Sequence, residues 1–342
     1  MDSTLILVAI IILVALAFDF VNGFHDAANS IATVVATRVL SPRLAVLWAS
    51  GFNFIAVFTV GTGVASTVGS GMIDLKFVTP LVILAGLVGA VSWDLITWWF
   101  GLPSSSSHAL IGGYAGASMA HVAHLRGMDR SFDALIAGAW IKTLVFIVIA
   151  PVIGMALAYG LMVAMFWTFR NANPTKMDPH FRRLQLVSSA LLSFSHGAND
   201  AQKTAGLITG VLLTSGKLAK FEVPVWVIFA AYGAIALGTL SGGWRIVHTM
   251  GSRLTRLRPR SGVCAETAAA MSILFATSLS LPISTTHVVA GSIAGVGAIQ
   301  RLKAVRWGLA TNIMWAWVLT MPASAAVGWM TMECIQFFVR AN

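Results

Sequence analysis

Two short polar stretches carry most of the residues in this sequence that could do chemistry. The first reads Asn-Gly-Phe-His-Asp-Ala-Ala-Asn-Ser over residues 22–30, and the second reads Ser-His-Gly-Ala-Asn-Asp-Ala-Gln-Lys-Thr over residues 195–204. Their aspartates are 174 positions apart, as are their glycines. Carboxylate and amide oxygens are the ligands that hard cations prefer. The stretches therefore predict sites for a cation or a proton, formed by Asn22, Asp26, Asn29, Asn199 and Asp200.

Two segments rich in hydroxyl groups form a second matched pair. Pro-Ser-Ser-Ser-Ser-His occupies residues 103–108, and Pro-Ile-Ser-Thr-Thr-His occupies residues 282–287, at an offset of 179. Such segments are typical of helix starts, where free N–H groups and the positive end of the helix dipole favour an anion. They predict an oxyanion site built from Ser105, Ser106, Ser107, Ser284, Thr285 and Thr286.

Each of these groups also has an ordinary structural explanation. The aspartates could cap helix breaks, and the hydroxyls could be simple N-caps. Lys203 follows Asp200 by three residues, so on a helix it could pair with that carboxylate or contact the anion directly. His108 and His287 could relay protons, donate to the oxyanion or be packed histidines. The presence of matched copies favours a functional role for the two sets as wholes.

The composition indicates a membrane protein. Of the 342 residues, 57% are hydrophobic and 10% are charged, and the mean hydropathy is +0.83. A soluble domain carries about a quarter charged residues, so we expect a polytopic protein within a lipid bilayer. The two cysteines, Cys264 and Cys334, do not suggest a disulfide framework or a zinc site.

The elements that must position the polar residues are transmembrane helices. The apolar run over residues 5–35 has some 30 residues, and at ~1.5 Å per residue it can cross a hydrocarbon core of ~30 Å. We expect the Asn-Gly pair to break this helix and expose backbone dipoles. The matched motifs predict an all-α membrane protein of two inverted repeats, each with about five membrane segments, including broken helices and re-entrant or hairpin segments. The first repeat covers residues 1–168, a cytoplasmic linker covers 169–183, and the second repeat covers 184–342.

The distribution of basic residues predicts the orientation in the membrane. With the linker in the cytoplasm, 14 of the 22 lysines and arginines fall in cytoplasmic loops and six fall on the opposite side. Cytoplasmic loops carry an excess of basic residues, so we expect both termini outside. This placement also accounts for much of the net charge of +10, and we do not expect nucleic acid as a partner. The cytoplasmic set is Arg38, Arg43, Arg170, Lys176, Arg182, Arg183, Arg245, Arg253, Arg256, Arg258, Arg260, Arg301, Lys303 and Arg306.

The paired motifs resemble those of the inorganic phosphate transporter (PiT) family, and in particular its bacterial low-affinity members. The signature of that family is a Gly-x-Asn-Asp type of motif that occurs once in each half, as in residues 22–29 and 196–203. The Leu-Pro-Ile-Ser-Thr-Thr-His run at 281–287 and the Phe-Arg-Arg-Leu-Gln run at 181–185 also resemble the family. The resemblance spans nearly the whole chain.

This resemblance implies further properties. It implies an inverted-repeat fold with two hairpins, usually assembled as a homodimer, in the inner (plasma) membrane. By resemblance, Asp26, Asn29, Asn199 and Asp200 contact ions and phosphate, and the hydroxyls of the hairpins hold the anion. Position 25 is histidine where many members have asparagine, which resembles bacterial members regarded as proton-coupled and implies a proton relay at His25.

The sequence therefore predicts a symporter that moves inorganic phosphate together with H⁺ or Na⁺, as the free anion or as a metal–phosphate complex. The alternative is a transporter or channel for another oxyanion, such as sulfate. Two matched carboxylates favour coupled transport, because a pure anion pore has no use for buried aspartates. No nucleophile–base pair or metal triad is apparent, so we expect neither an enzyme nor a resident cofactor or metal.

Overall fold

The structure is a computed structural model that describes residues 3–59, 61–300 and 305–341. Arg301 and Lys303, two of the predicted cytoplasmic residues, lie outside the described residues. Within the described part every regular element is helical, which confirms the all-α fold class. The α-helices are α1 (Ser3–Ala36), α2 (Pro42–Ile55), α3 (Gly63–Ser66), α4 (Pro80–Trp99), α5 (Ser106–Arg126), α6 (Ala137–Thr168), α7 (Pro174–Thr214), α8 (Val225–Ser241), α9 (Trp244–His248), α10 (Pro259–Ser278), α11 (Thr285–Gln300) and α12 (Trp307–Ala341).

Several helices are long and apolar enough to cross a membrane. Four of the described helices satisfy this by length and composition alone, namely α1, α4, α6 and α12. Two further spans are bent pairs: residues 42–58 with 63–71, at an angle of 83°, and residues 225–241 with 244–251, at 63°. The number of five crossings in each repeat stays a prediction.

The helix breaks do not lie where the sequence analysis expected them. Both α1 and α7 run without interruption through the polar stretches, so the break predicted at the Asn-Gly pair of residues 22–23 is wrong, and the second stretch contains no break either. The glycines of the two stretches permit close packing instead, since a Cβ at Gly23 would collide with the carbonyl of Ile235 and a Cβ at Gly197 with that of Asn53. The observed breaks follow α2 and α8, the helices against which α1 and α7 pack.

The helices at the centre of the molecule pack across the two predicted repeats. Helix α1 packs on α8 while α7 packs on α2, and likewise α5 packs on α12 while α11 packs on α6. Small residues make these contacts close, as is common between membrane helices. Gly112 and Gly116 of α5 lie against the backbone of α12, and Gly291 and Gly295, at an offset of 179, lie against the backbone of α6.

Helices α1 and α7 run antiparallel across the centre. Thr37 near the end of α1 bonds Gln185 near the start of α7 at 2.9 Å, whereas Asp19, earlier on α1, lies beside Thr204, later on α7. Antiparallel central helices are what inverted repeats require, and the division into repeats stays a prediction. The predicted linker is largely helical, because α7 begins at Pro174 and leaves only residues 169–173 between it and α6.

Two hairpins, α4–α5 and α10–α11, turn at residues with positive φ. Gly101 has φ +64° and Ser280 has φ +58°, again at an offset of 179. The carbonyl of Gly101 accepts a hydrogen bond from Thr249 at 3.0 Å, and the carbonyl of Ser280 accepts one from Thr67 at 2.8 Å. Each hairpin tip is thus held by the short second part of a bent span, which fixes where α5 and α11 begin.

Candidate functional site

Asp26 lies in the middle of α1 and receives hydroxyl groups from both hairpins. Its carboxylate is buried, with Oδ1 2.7 Å from Nδ1 of His25. Ser106, at the start of α5, donates to the same oxygen at 3.3 Å. Thr286, at the start of α11, donates to Oδ2 at 3.3 Å. The predicted cation group and the predicted anion group are therefore in direct contact.

Asp200 has the equivalent place on α7. Its Oδ1 accepts from Nζ of Lys203 at 2.5 Å, and its Oδ2 accepts from the Thr285 hydroxyl at 3.2 Å. Nε2 of His196 lies 3.2 Å from Oδ2, one helical turn before the aspartate. All four side chains are buried. The contact between Thr285 and Asp200 repeats the contact between Ser106 and Asp26, because both residues of one pair occupy the positions that match those of the other pair.

Lys203 completes this centre as an ion pair. Besides Asp200, its ammonium group donates to the Ser107 hydroxyl at 2.5 Å and to the carbonyl of Ile283 at 2.9 Å. A lysine has three protons to donate, and all three have acceptors here. Of the two roles that the sequence left open for Lys203, the structure shows the pair with Asp200.

Asn29 makes the contact on α1 that corresponds to the one Lys203 makes on α7. Its amide donates to Thr285 at 3.2 Å and to Thr286 at 2.9 Å. Asn29 and Lys203 are 174 positions apart, and each reaches across to the hairpin of the other predicted repeat, Lys203 through Ser107. The centre is thus formed by four elements with matching contacts.

The hairpin hydroxyls lie at helix starts, as the sequence predicted. Ser105 precedes α5 and accepts from the backbone N–H of His108 at 3.2 Å, and Ser284 precedes α11 and accepts from that of His287 at 3.2 Å. Both helices therefore direct their N-terminal ends at the two carboxylates. Free N–H groups and a positive dipole end favour an anion at such a place.

The central carboxylates and one histidine could together hold a metal ion. One ligand atom from each of Asp26, His196 and Asp200 lies within 4.8 Å of the others. The sequence did not reveal this group because its members lie on two helices that are far apart in the chain, and the expectation that the protein has no resident metal stays a prediction. Mixed carboxylate and imidazole ligands suit divalent cations, while the Lys203 ammonium beside Asp200 lowers the negative charge of the group.

His25 is the histidine most closely connected to the centre. Besides the contact with Asp26, its Nε2 lies 3.1 Å from the Thr97 hydroxyl and 3.3 Å from that of Ser104. A chain of exchangeable protons therefore leads from the Asp26 carboxylate to the end of α4. The role of His25 as a proton relay stays a prediction.

His108 and His287 pack against each other rather than against a carboxylate. Their rings are 4.7 Å apart, and the ring of His287 stacks on Trp317 of α12 at 3.9 Å. Nδ1 of His108 and both ring nitrogens of His287 are buried without a hydrogen-bond partner. Both histidines are therefore packed, as one of the three explanations in the sequence analysis expected, but these ring nitrogens are not hydrogen-bonded. Their roles as proton relays or as donors to the oxyanion stay predictions.

Asn199 and Asn22 lie at the edge of the centre. The Asn199 amide donates to Thr277 at 2.8 Å and to the carbonyl of Leu281 at 3.1 Å, which ties α7 to the α10–α11 hairpin. Asn22 lies beside Asp19, one turn before the centre, and its Oδ1 has no partner. The assignment of both residues to a binding site stays a prediction.

Sequence reasoning missed one histidine of the centre, and it interpreted the buried acids Asp94 and Glu266 as contacts between helices. His196 could have been found, because it lies four residues before Asp200 and therefore on the same helix face. Asp94 is fully buried, acts on His25 and Asp26 through space, and has no hydrogen-bond partner. Glu266 joins α10 to α1 and α7 as an inter-helix contact, and its carboxylate accepts from Thr33, Gln185 and Ser188.

A buried centre of paired acids, hydroxyls and a lysine, enclosed by apolar helices that can cross a membrane, defines a membrane transporter. The sequence profile of the phosphate transporter family matches residues 22–328. The chain therefore belongs to the phosphate transporter family, whose members are transporters and not enzymes.

Individual relatives agree with this family. A protein of Rhizobium meliloti (strain 1021), described as a probable low-affinity inorganic phosphate transporter, is 53% identical over 330 residues, which are 96% of each chain. A protein of Bacillus subtilis (strain 168) with the same description is 44% identical over 331 residues, 96% of this chain and 97% of the relative. The solved structure of a sodium-dependent phosphate transporter covers 97% of this chain and 99% of its own, with a TM-score of 0.87 at 24% identity. This last likeness concerns the fold.

Proposed function

We propose that the protein is a secondary active symporter that moves inorganic phosphate across the inner (plasma) membrane together with H⁺ or Na⁺. The observation that carries the proposal is the contact of Asp26 and Asp200 with the hydroxyls that begin α5 and α11. An anion held by these helix starts lies against two carboxylates, so its binding requires a cation in the same place. Binding of the two ions is then coupled by charge.

The anion site consists of the helix starts and the groups that reach them. The hydroxyls of residues 105–107 and 284–286 are buried around the two aspartates, together with Asn29 and Lys203. Phosphate at neutral pH still carries protons, so it can donate to a carboxylate while it accepts from hydroxyl and N–H groups. Sulfate can only accept, and a lone pair would then face the carboxylate.

The cation site is the group formed by Asp26, His196 and Asp200. Its ligand atoms lie close enough for one ion, and the Asp26–His25 contact gives a proton an alternative place. The same group would accept the metal of a metal–phosphate complex, which is cargo in that case. An uncoupled oxyanion channel would leave both buried carboxylates without a role.

Phosphate uptake into proteoliposomes under separately imposed gradients tests the symport. We expect radioactive phosphate to accumulate above equilibrium when a Na⁺ gradient or a H⁺ gradient is imposed, and we expect no accumulation without either. A parallel series with Mg²⁺ or EDTA distinguishes free phosphate from a metal complex. Uptake that never exceeds equilibrium, whatever the gradient, would identify a channel.

Competition by sulfate tests the choice of anion. A site that uses a hydrogen bond of its substrate can discriminate by ~10⁴ against an analogue that lacks it, so arsenate should compete with phosphate and sulfate should not. Ser106→Ala and Thr285→Ala should weaken phosphate uptake without admitting sulfate. Equal competition by sulfate would favour the alternative of a general oxyanion transporter.

Two further properties extend the proposal to the whole molecule. We propose a homodimer with both termini outside the cell, on the basis of the family resemblance and the distribution of basic residues. Cross-linking in native membranes tests the dimer, since a monomer alone at low cross-linker would contradict it.

A further inference from the structure

A cavity lined by three arginines lies where α6 ends and where α7 and α10 begin. Its volume is about 570 Å³, and the arginines are Arg170, Arg258 and Arg260. The residues of α7 that line the cavity end at Phe181, which is 19 residues before Asp200, or about 28 Å along the helix. The cavity is therefore separate from the phosphate centre.

The charges in this cavity are not balanced. Asp178 is the one acid among its lining residues, and within the described residues none of the three arginines forms an ion pair. Nε of Arg260 is buried and has no hydrogen-bond partner. Because a buried donor without an acceptor costs free energy, the cavity suits a ligand that brings both negative charge and acceptor oxygens.

Aromatic rings position two of the arginines. The guanidinium of Arg260 lies over the ring of Phe166 at 5.3 Å, and that of Arg170 lies over the ring of Trp167 at 5.8 Å. Such a contact attracts the cation without using a hydrogen-bond acceptor, so the N–H donors in the plane of each guanidinium remain available. Two parallel N–H donors match two oxygens of one phosphate group. A phosphate group is therefore the ligand chemistry that fits.

The position of the cavity along α6 matches the headgroup region of a bilayer. Trp140 and Trp167 lie near the two ends of this helix and are 27 residues apart, or about 40 Å. A bilayer with its headgroup regions is ~40–45 Å thick, and tryptophan is enriched at both of its interfaces. Trp167 and its neighbour Phe166 are exposed. Arg170 thus lies at the depth of phospholipid phosphates, on the side that the basic residues predict to be cytoplasmic.

The surroundings favour a phospholipid over free phosphate. Exposed apolar side chains continue along α6 from the cavity toward the membrane interior, among them Val152 and Leu157. A lipid held by its headgroup would place its acyl chains against this face, which free phosphate would leave uncovered. Basic pockets between membrane helices on the cytoplasmic side bind anionic headgroups. Three arginines and one acid leave two positive charges, which a headgroup with two phosphates would balance.

We propose that Arg170, Arg258 and Arg260 bind the headgroup of an anionic phospholipid, with a preference for cardiolipin, which carries two phosphates. The bound lipid would join the end of α6 to the starts of α7 and α10. The site goes beyond the proposed function, since the binding of a lipid here does not require that phosphate be the cargo.

Native mass spectrometry of the delipidated full-length protein tests this site, with cardiolipin, phosphatidylglycerol and phosphatidylcholine added separately. We expect one cardiolipin per chain to bind most tightly and phosphatidylcholine to bind most weakly. Arg170→Gln, Arg258→Gln and Arg260→Gln should each raise the dissociation constant for cardiolipin about 5-fold, the contribution of one basic residue near anionic lipid. Arg43→Gln, which removes an exposed arginine at the start of α2, is the matched control and should leave the constant unchanged.

Competition by inorganic phosphate separates the two sources of a phosphate group. An excess of phosphate should not displace cardiolipin, and displacement would identify a site for the free anion and overturn the proposal. A variant with all three substitutions should bind cardiolipin no better than phosphatidylcholine, and the single variants decide if it does not fold. Equal binding of phosphatidylcholine and cardiolipin by the unaltered protein, or an equal loss in Arg43→Gln, would also overturn the proposal. A failure of phosphate uptake with this lipid preference intact would overturn the proposed function alone.

Discussion

At the scale of single residues, the two central carboxylates have different partners. Asp26 lies against His25 and two hydroxyl groups, whereas Asp200 is paired with Lys203. The matched motifs in the sequence suggested equal roles. In the structure Asp200 already has a fixed positive partner, so Asp26 is the carboxylate that more directly needs a mobile cation.

Neutralisation of either carboxylate should abolish coupled uptake. Asp26→Asn and Asp200→Asn each remove a charge that the cation requires, and the anion is then left without its counter-charge in a low dielectric. We expect phosphate uptake in proteoliposomes to fall to background while the proteins remain inserted. Asp178→Asn is the exposed control. Near-normal uptake by either central variant at equal expression would exclude that carboxylate from transport.

The contributions of Asp200 and Lys203 to the stability of the protein should depend on each other. Loss of one partner from a buried ion pair costs about 3–5 kcal/mol because the other charge remains buried. Asp200→Asn and Lys203→Met should therefore each lower the melting temperature, and the double variant should recover most of the loss. None of the three should transport phosphate. Losses that simply add in the double variant would show that the two groups do not interact.

At the scale of secondary-structure elements, glycine residues decide how closely the central helices approach. Gly23 lies against the backbone of α8 and Gly197 against that of α2, so the site helices are held at backbone contact. This closeness brings the Asp26 and Asp200 side chains together from helices that are far apart in the sequence.

Gly23→Ala should separate α1 from α8. The added methyl group would collide with the carbonyl of Ile235, and overpacking of this kind costs about 1–3 kcal/mol. Gly233→Ala, on α8, is the control, because its Cβ would meet nothing within 4 Å and alanine favours a helix by up to about 1 kcal/mol. The melting temperature should therefore fall in Gly23→Ala and rise in Gly233→Ala. Equal shifts would show that close packing at Gly23 is not limiting.

The hairpin tips offer a reciprocal pair of variants. Ser280 has φ +58° where the matched residue, Gly101, has φ +64°. A left-handed conformation costs a non-glycine residue roughly 1–2 kcal/mol, more than the roughly 0.5–1 kcal/mol of conformational entropy that glycine adds. Ser280→Gly should raise the melting temperature slightly, and Gly101→Ser should lower it. A Cβ at Gly101 would approach other atoms no closer than 3.6 Å, so a loss there reports the backbone alone.

At the scale of the whole molecule, the orientation in the membrane decides which of the buried clusters faces each side. The predicted external side of the centre holds Asp19 and Thr204, and the predicted cytoplasmic side holds Glu266 with Gln185. The centre therefore has one further buried acid on each side, and the functional meaning of both depends on topology.

Cysteine labelling tests this topology. In a Cys334→Ser background, since Cys334 is exposed and Cys264 is buried, Thr175→Cys should react with a membrane-impermeant maleimide only after the cells are opened. Lys217→Cys, in the exposed loop between α7 and α8, should react in intact cells. Labelling of Thr175→Cys from outside would reverse the orientation, and with it the two sides assigned above.

The sequence by itself determined the class of protein, the two matched motif pairs and most members of the centre. The composition indicates that the chain lies in a lipid bilayer. The equal offsets matched Asp26 with Asp200, and they matched the hydroxyl groups at the start of α5 with those at the start of α11. These properties are local, since a helix start or an apolar run depends on neighbours within a few residues.

Only the tertiary structure decided which of these groups meet, and in what role. Gly23 is a helix breaker by propensity, but contact with α8 makes it a packing residue within an unbroken helix. The approach of His196 to Asp26 and of Thr204 to Asp19 depends on helices more than 150 residues apart in the sequence. Lys203 pairs with Asp200 on its own helix, but it also reaches Ser107 at a sequence separation of 96. A periodic pattern shows which face of a helix is buried, whereas the packing of distant helices fixes the side chain that lies opposite.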